Sequence, residues 1–120
     1  MDEREFKRRT KELGLAVIRL VEALPRSRTA DVVSRQLLRS ATSVGANYRA
    51  ACRGRSVADV VAKLGIVLEE SDETIYWLEL LVESGTVPAS KVADLVSEAD
   101  ELVAMTVASI KTLRSRVRQI

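Results

Sequence analysis

Arginines stand at positions 35, 39, 49 and 53 of this 120-residue chain. At about 100° per residue they share, with Thr42 and Ala46, a helical arc of roughly 80°. The stretch RSATSVGANYRAACRGRS, residues 39–56, sets small side chains among them. Guanidinium forks match phosphate oxygens, and a regular row of them suits a repeating polyanion. The same row can instead pair with carboxylates of a neighbouring helix, or stand solvated. All three readings are open at this point. Arg35, Arg49 and Arg53 are the candidate contacts to an RNA or DNA backbone.

Other chemistry is thinly supplied. Histidine is absent, which removes the commonest general base and zinc ligand. The five glycines are isolated, so no phosphate-cradling loop is present. Glu69, Glu70 and Glu73 have a spacing that lets carboxylates share Mg²⁺, but an acidic helix face is more often solvated or paired. The single Cys52 has no partner for an internal disulfide. The reading is therefore a non-enzymatic protein with no catalytic residue, metal or cofactor. The start, MDEREFKRRTKE, is charged throughout, and no run of about 18 apolar residues occurs, so a cytoplasmic protein without membrane contact is expected.

Positioning these residues requires helices. Apolar residues make up 47% of the chain, enough for a core. Pro25, Gly54, Gly85 and Pro88 divide it into four segments with 3.6-residue periodicity. The spacing predicts helices over about 2–24, 29–53, 57–84 and 88–117, within a single domain spanning 1–120. Thr29 is the expected N-cap of the second helix. Ser56 is expected to cap the third, with Asp59 three residues on. Gly54 and Gly85 are expected to close the second and third helices. Short connections force neighbours antiparallel, so the fold class is all-α, an up-down-up-down four-helix bundle.

Charge is sorted by segment. Residues 1–28 and 29–54 each carry +3, residues 55–85 carry −5, and residues 86–120 carry +1. A basic second helix beside an acidic third favours attraction, within one bundle or between copies. The third helix also shows apolar residues away from its main stripe: Ile66, Trp77 and Leu80, with Tyr76 adjacent. A helix apolar on two faces is buried on two sides, so these four are the candidate homo-oligomer interface. A broad intramolecular core is the competing reading.

The segments LLRSATSVGANYRAA (37–51) and KLGIVLEESDETIYWLELL (63–81) carry a resemblance. Together they look like the family of 23S ribosomal RNA intervening-sequence proteins, through the patterns RSxTSxGANYxxA and KLxIxLxExxETxYWLxLL. The resemblance implies a small helical bundle with no catalytic residues to carry over. It is similar, more distantly, to accessory proteins of diversity-generating retroelements, which implies a homopentamer that binds nucleic acid and a protein partner such as a reverse transcriptase. Ala50 stands where relatives often carry an acidic residue, which leaves this helix more basic. In the matching positions, Ser40, Ser43, Gly45 and Ala46 let helices approach closely. Asn47 is expected to be buried against a polar group on the third helix, Glu73 or Thr74, and Arg39 to join that structural polar core.

Overall fold

The computed structural model describes residues 2–118 and shows four helices: α1 (Glu3–Glu22), α2 (Arg28–Cys52), α3 (Val57–Glu83) and α4 (Ala93–Arg118). They form the expected up-down-up-down four-helix bundle. No strand occurs among the described residues. The molecule is a rod of 54 × 21 × 20 Å. Each helix packs mainly on its chain neighbours, and α1 touches α4 far less than it touches α2.

Side-chain caps start the first three helices. Asp2 accepts from the Glu5 amide at 2.7 Å, Ser27 from the Ala30 amide at 3.0 Å, and Ser56 from the Asp59 amide at 3.1 Å. The cap of α2 is thus Ser27 rather than Thr29. Its extended backbone directs Oγ at the first free amides, and the helix begins two residues sooner than its apolar pattern. The Asp59 carboxylate reaches back past Ser56, accepting from the Arg55 amide at 3.1 Å, so the return bond falls one residue before the cap instead of closing a capping box. Lys63 and that amide together hold Asp59 below the usual carboxylate range.

The helix ends differ in their use of glycine. Gly85 has a φ of 79°, and the amides of Gly85 and Thr86 return to Val82 and Leu81 to close α3. Gly54 does not adopt that left-handed conformation. Its hydrogen is needed for space, since a Cβ there would lie 2.4 Å from Val60 Cγ2 and 3.1 Å from the Ala51 carbonyl. Gly54→Ala should therefore shift the α2–α3 turn and lower stability by about 1–3 kcal/mol, read as a fall in melting temperature. After Pro88 the chain makes a 3-10 turn, Ala89–Lys91, before α4 begins at Ala93. Val87 and Val92 are buried on either side of it, which draws the segment onto the core instead of letting Pro88 start the helix.

Two apolar clusters fill the rod. One joins Phe6, Leu13, Val44, Tyr48, Leu64, Val67, Leu102 and Ile110. The other joins Val17, Val33, Leu37, Ala41, Leu78, Leu81, Val87 and Val92. Buried hydroxyls lie among them. Thr74 donates to Ser40 at 3.1 Å across α2 and α3, and Ser71 and Thr106 bond carbonyls of their own helices. This hydroxyl pair, not Asn47, is the buried polar tie between the two helices.

Candidate nucleic-acid interface

Helices α1 and α2 approach closely because Gly14 and Gly45 face the contact. A Cβ on Gly45 would meet the Thr10 carbonyl and Oγ1 at 3.4 Å, and one on Gly14 would lie 3.8 Å from the α2 backbone. The close approach leaves an open groove of about 590 Å³ whose lining includes Thr10, Gly14, Thr42, Gly45 and Ala46. Arg4, Lys7, Arg8 and Lys11 line it from α1, spaced i, i+3, i+4 and i+7 so that they share one side of that helix. Arg49 lines it from α2. Leu15 and Ile18, both exposed, continue the lining further along α1.

Two of these five cations are engaged. Lys7 pairs with Glu3 at 3.0 Å, and Arg8 pairs with Glu5. The pairings hold both carboxyls below their usual range, chiefly through the hydrogen bonds from Lys7 and Arg8. Arg4, Lys11 and Arg49 have no carboxylate within 4.0 Å among the described residues. The groove thus presents charge that the fold itself does not neutralise.

The α2 arginines do not act as one row. Arg49 lines the groove and Arg53 stands exposed at the C-cap of α2. Arg35 is exposed and donates to the Asp31 carbonyl at 3.2 Å. Arg39 reaches across to α3, 3.1 Å from Glu70, and also pairs with Glu73. It is a half-exposed surface clasp and not part of a buried polar core: the guanidinium sits at the rim, where two carboxylates meet it in water. Those bonds, Glu70 first, raise its already high pKa.

Asn47 departs further from its expected role. It is half-buried, and its Nδ2 donates to the Ser43 carbonyl at 2.8 Å, within its own helix. A short amide on a helix finds the carbonyl one turn back more readily than a group on the next helix. Glu73 is taken by Arg39, and Thr74 by Ser40 and the Glu70 carbonyl.

The four apolar interface candidates on α3 divide into two kinds. Ile66 and Tyr76 are exposed. Trp77 is half-buried and packs against the cluster around Leu37 and Leu78, and Leu80 is half-buried. The Trp77 indole N–H is enclosed without a hydrogen-bond partner among the described residues. Tyr76 meets the Trp77 ring edge-on at 5.0 Å. Trp77 thus packs into its own chain's core, and of the four only Ile66 and Tyr76 are exposed.

Glu69, Glu70 and Glu73 do not converge on an ion. Arg39 occupies Glu70 and Glu73, and no group of three or more ligating side chains is placed to hold a metal among the described residues.

Two further features escaped the sequence. Arg9 clasps Glu98 through two bonds, 2.8 and 2.6 Å, tying α1 to α4 where they otherwise touch little. The charge pattern of α1 contained it, but pairing it with residue 98 required the inter-helix register. At the same end, Phe6 and Tyr48 stack at 4.0 Å, beside a cleft of about 670 Å³ that Cys52 also lines. Burial pushes both the Tyr48 phenol and the Cys52 thiol up, so neither is activated.

A family model described as 23S rRNA-intervening sequence protein matches residues 3–108. The chain belongs to that family. Among solved structures, a protein with unknown function from the S23 ribosomal protein family of Bacteroides thetaiotaomicron matches it with a TM-score of 0.85 and 33% identity. The match covers 92% of this chain and 99% of that one. No match was found among curated proteins. For this intervening-sequence protein, no described helix is long and apolar enough to cross a membrane.

Proposed function

We propose that this protein is a binding module for the sugar–phosphate backbone of RNA or DNA, seated in the groove between α1 and α2. The observation that carries the reading is the set of Arg4, Lys11 and Arg49 around one groove, without carboxylate partners among the described residues. Small residues in the lining let a backbone approach, and guanidinium and ammonium groups replace its counterions. Arg53 extends the set beyond the groove. Arg39 is excluded, because Glu70 and Glu73 already neutralise it. The absence of histidine and the unactivated thiol favour binding over catalysis.

Self-association belongs to the same proposal. Exposed Ile66 and Tyr76 on α3 supply apolar area for a second copy, and a ring such as the pentamer implied by resemblance would bring several grooves together. A protein-binding scaffold is the competing role, and the Arg39 clasp favours it only for that arginine.

Fluorescence anisotropy with labelled oligonucleotides of different sequence tests the reading. Affinity should be alike across sequences and fall steeply as salt rises. Absence of binding at low salt would remove the proposal.

A further inference from the structure

Charge is sorted along the rod as well as between helices. Gly14 lies against Thr42, Ser40 bonds Thr74, and Arg9 reaches Glu98 and Met105, so the mid-plane passes near residues 12, 42, 70 and 102. Residues 2–12, 43–70 and 103–118 form one half, with thirteen lysines and arginines against seven acidic residues. Residues 13–42 and 71–102 form the other, with six against ten. One half is strongly basic and the other acidic, and α4 shows most of the contrast by itself, with Asp94, Glu98, Asp100 and Glu101 in its first part and Lys111, Arg114, Arg116 and Arg118 in its last.

In the basic half, Glu3, Glu5, Asp59 and Glu70 are already paired with cations. The cations without a carboxylate partner among the described residues are spread around the end instead of lying on one face. Arg4, Lys11 and Arg49 stand at the α1/α2 groove. Arg53 and Arg55 stand at the α2–α3 turn, and Lys111, Arg114 and Arg116 are exposed on the last turns of α4. Helix α4 packs on α3 and α1, so it lies diagonally across the bundle from α2.

We propose that the basic end is wrapped by a single-stranded nucleic acid, held in the α1/α2 groove and carried over the α2–α3 turn to α4. This rests on the backbone-binding reading above and specifies its ligand. The rod is only 20–21 Å across. Duplex DNA is stiff over about 150 base pairs and meets one face of so narrow an end. A single strand bends around it and reaches cations on several faces. The lining of the groove includes no aromatic ring on which bases would stack, so contact is to phosphates and does not depend on the sugar.

The test compares oligo(dT), oligo(U) and a duplex, each about 30 nucleotides or base pairs long, on the full chain. The α4 variant Lys111→Gln, Arg114→Gln, Arg116→Gln should weaken both single strands about tenfold and flatten their salt slope by about two units. Its affinity for the duplex should change less than about twofold, because a stiff duplex in the groove does not reach α4. Circular dichroism should show unchanged helix content, since all three side chains are exposed. If the α4 variant binds single strands like wild type while Arg4→Gln, Lys11→Gln, Arg49→Gln does not, the wrapping proposal falls and the groove reading stands. Equal losses for duplex and single strand also overturn wrapping. Failure of wild type to bind any strand at low salt removes both.

Discussion

Leu78→Ala should lower the unfolding free energy by about 3 kcal/mol. Leu78 is fully buried. It sits in the cluster that unites Val17 of α1, Leu37 and Ala41 of α2 and Val92 before α4, against which Leu95 and Val96 of α4 also pack. Truncation removes the transfer energy of the lost carbons and leaves a cavity that four packed elements cannot readily collapse. Urea denaturation with an unchanged m-value checks it. A loss below about 1 kcal/mol would mean that this cluster is loosely packed.

Trp77→Ala should cost about 2–3 kcal/mol, and the cost should appear in the folding of the single chain. The ring packs on the same cluster from the side, with one part open to solvent. Its enclosed indole N–H has no partner among the described residues, which already carries a desolvation penalty. Trp77→Phe should therefore cost clearly less than Trp77→Ala, because it keeps most apolar contacts and removes the unpaired donor. Tyr76→Ala, at an exposed position, should leave stability within about 0.5 kcal/mol. Light scattering beside the melts separates the two residues. If Trp77→Ala dissociates an oligomer without lowering chain stability, Trp77 faces a partner and not its own core.

What the sequence revealed follows from the range of each physical effect. Periodicity and chain breakers are local, so the four helices and their antiparallel order were legible. The Ser56 cap was legible for the same reason, although the Asp59 carboxylate returns to the Arg55 amide and not to that of Ser56. Ser27 was missed because two hydroxyl residues compete near Pro25, and the backbone leaving the turn decides which one caps. Asn47 was misjudged because a local bond to Ser43 satisfies it without the neighbouring helix. Arg39 was correctly directed at α3 yet wrongly placed in the core, since spacing gives a direction and not a depth.

The candidate groove was legible only in part. Arg49 was singled out from the α2 pattern, while Arg4 and Lys11 entered the sequence reading only as a segment charge. Bringing them beside Arg49 depends on the α1–α2 register, which the Thr10–Gly45 contact fixes. The signal that was available is the i, i+3, i+4, i+7 spacing of Arg4, Lys7, Arg8 and Lys11, a basic stripe as regular as the α2 arginines. Charge segregation along the rod was legible in part: α4 alone runs from Asp94, Glu98, Asp100 and Glu101 to Lys111, Arg114, Arg116 and Arg118, while adding the other segments requires the inter-helix register.

The most direct test of the central claim is the salt dependence of single-strand binding, measured on wild type and on Arg4→Gln, Lys11→Gln, Arg49→Gln, with thermal melts of both. The groove account predicts a slope flatter by about two units in the variant and an unchanged melting temperature, since none of the three has a carboxylate partner among the described residues. An unchanged slope with a lowered melting temperature would contradict it, and would show these cations to be held by the fold.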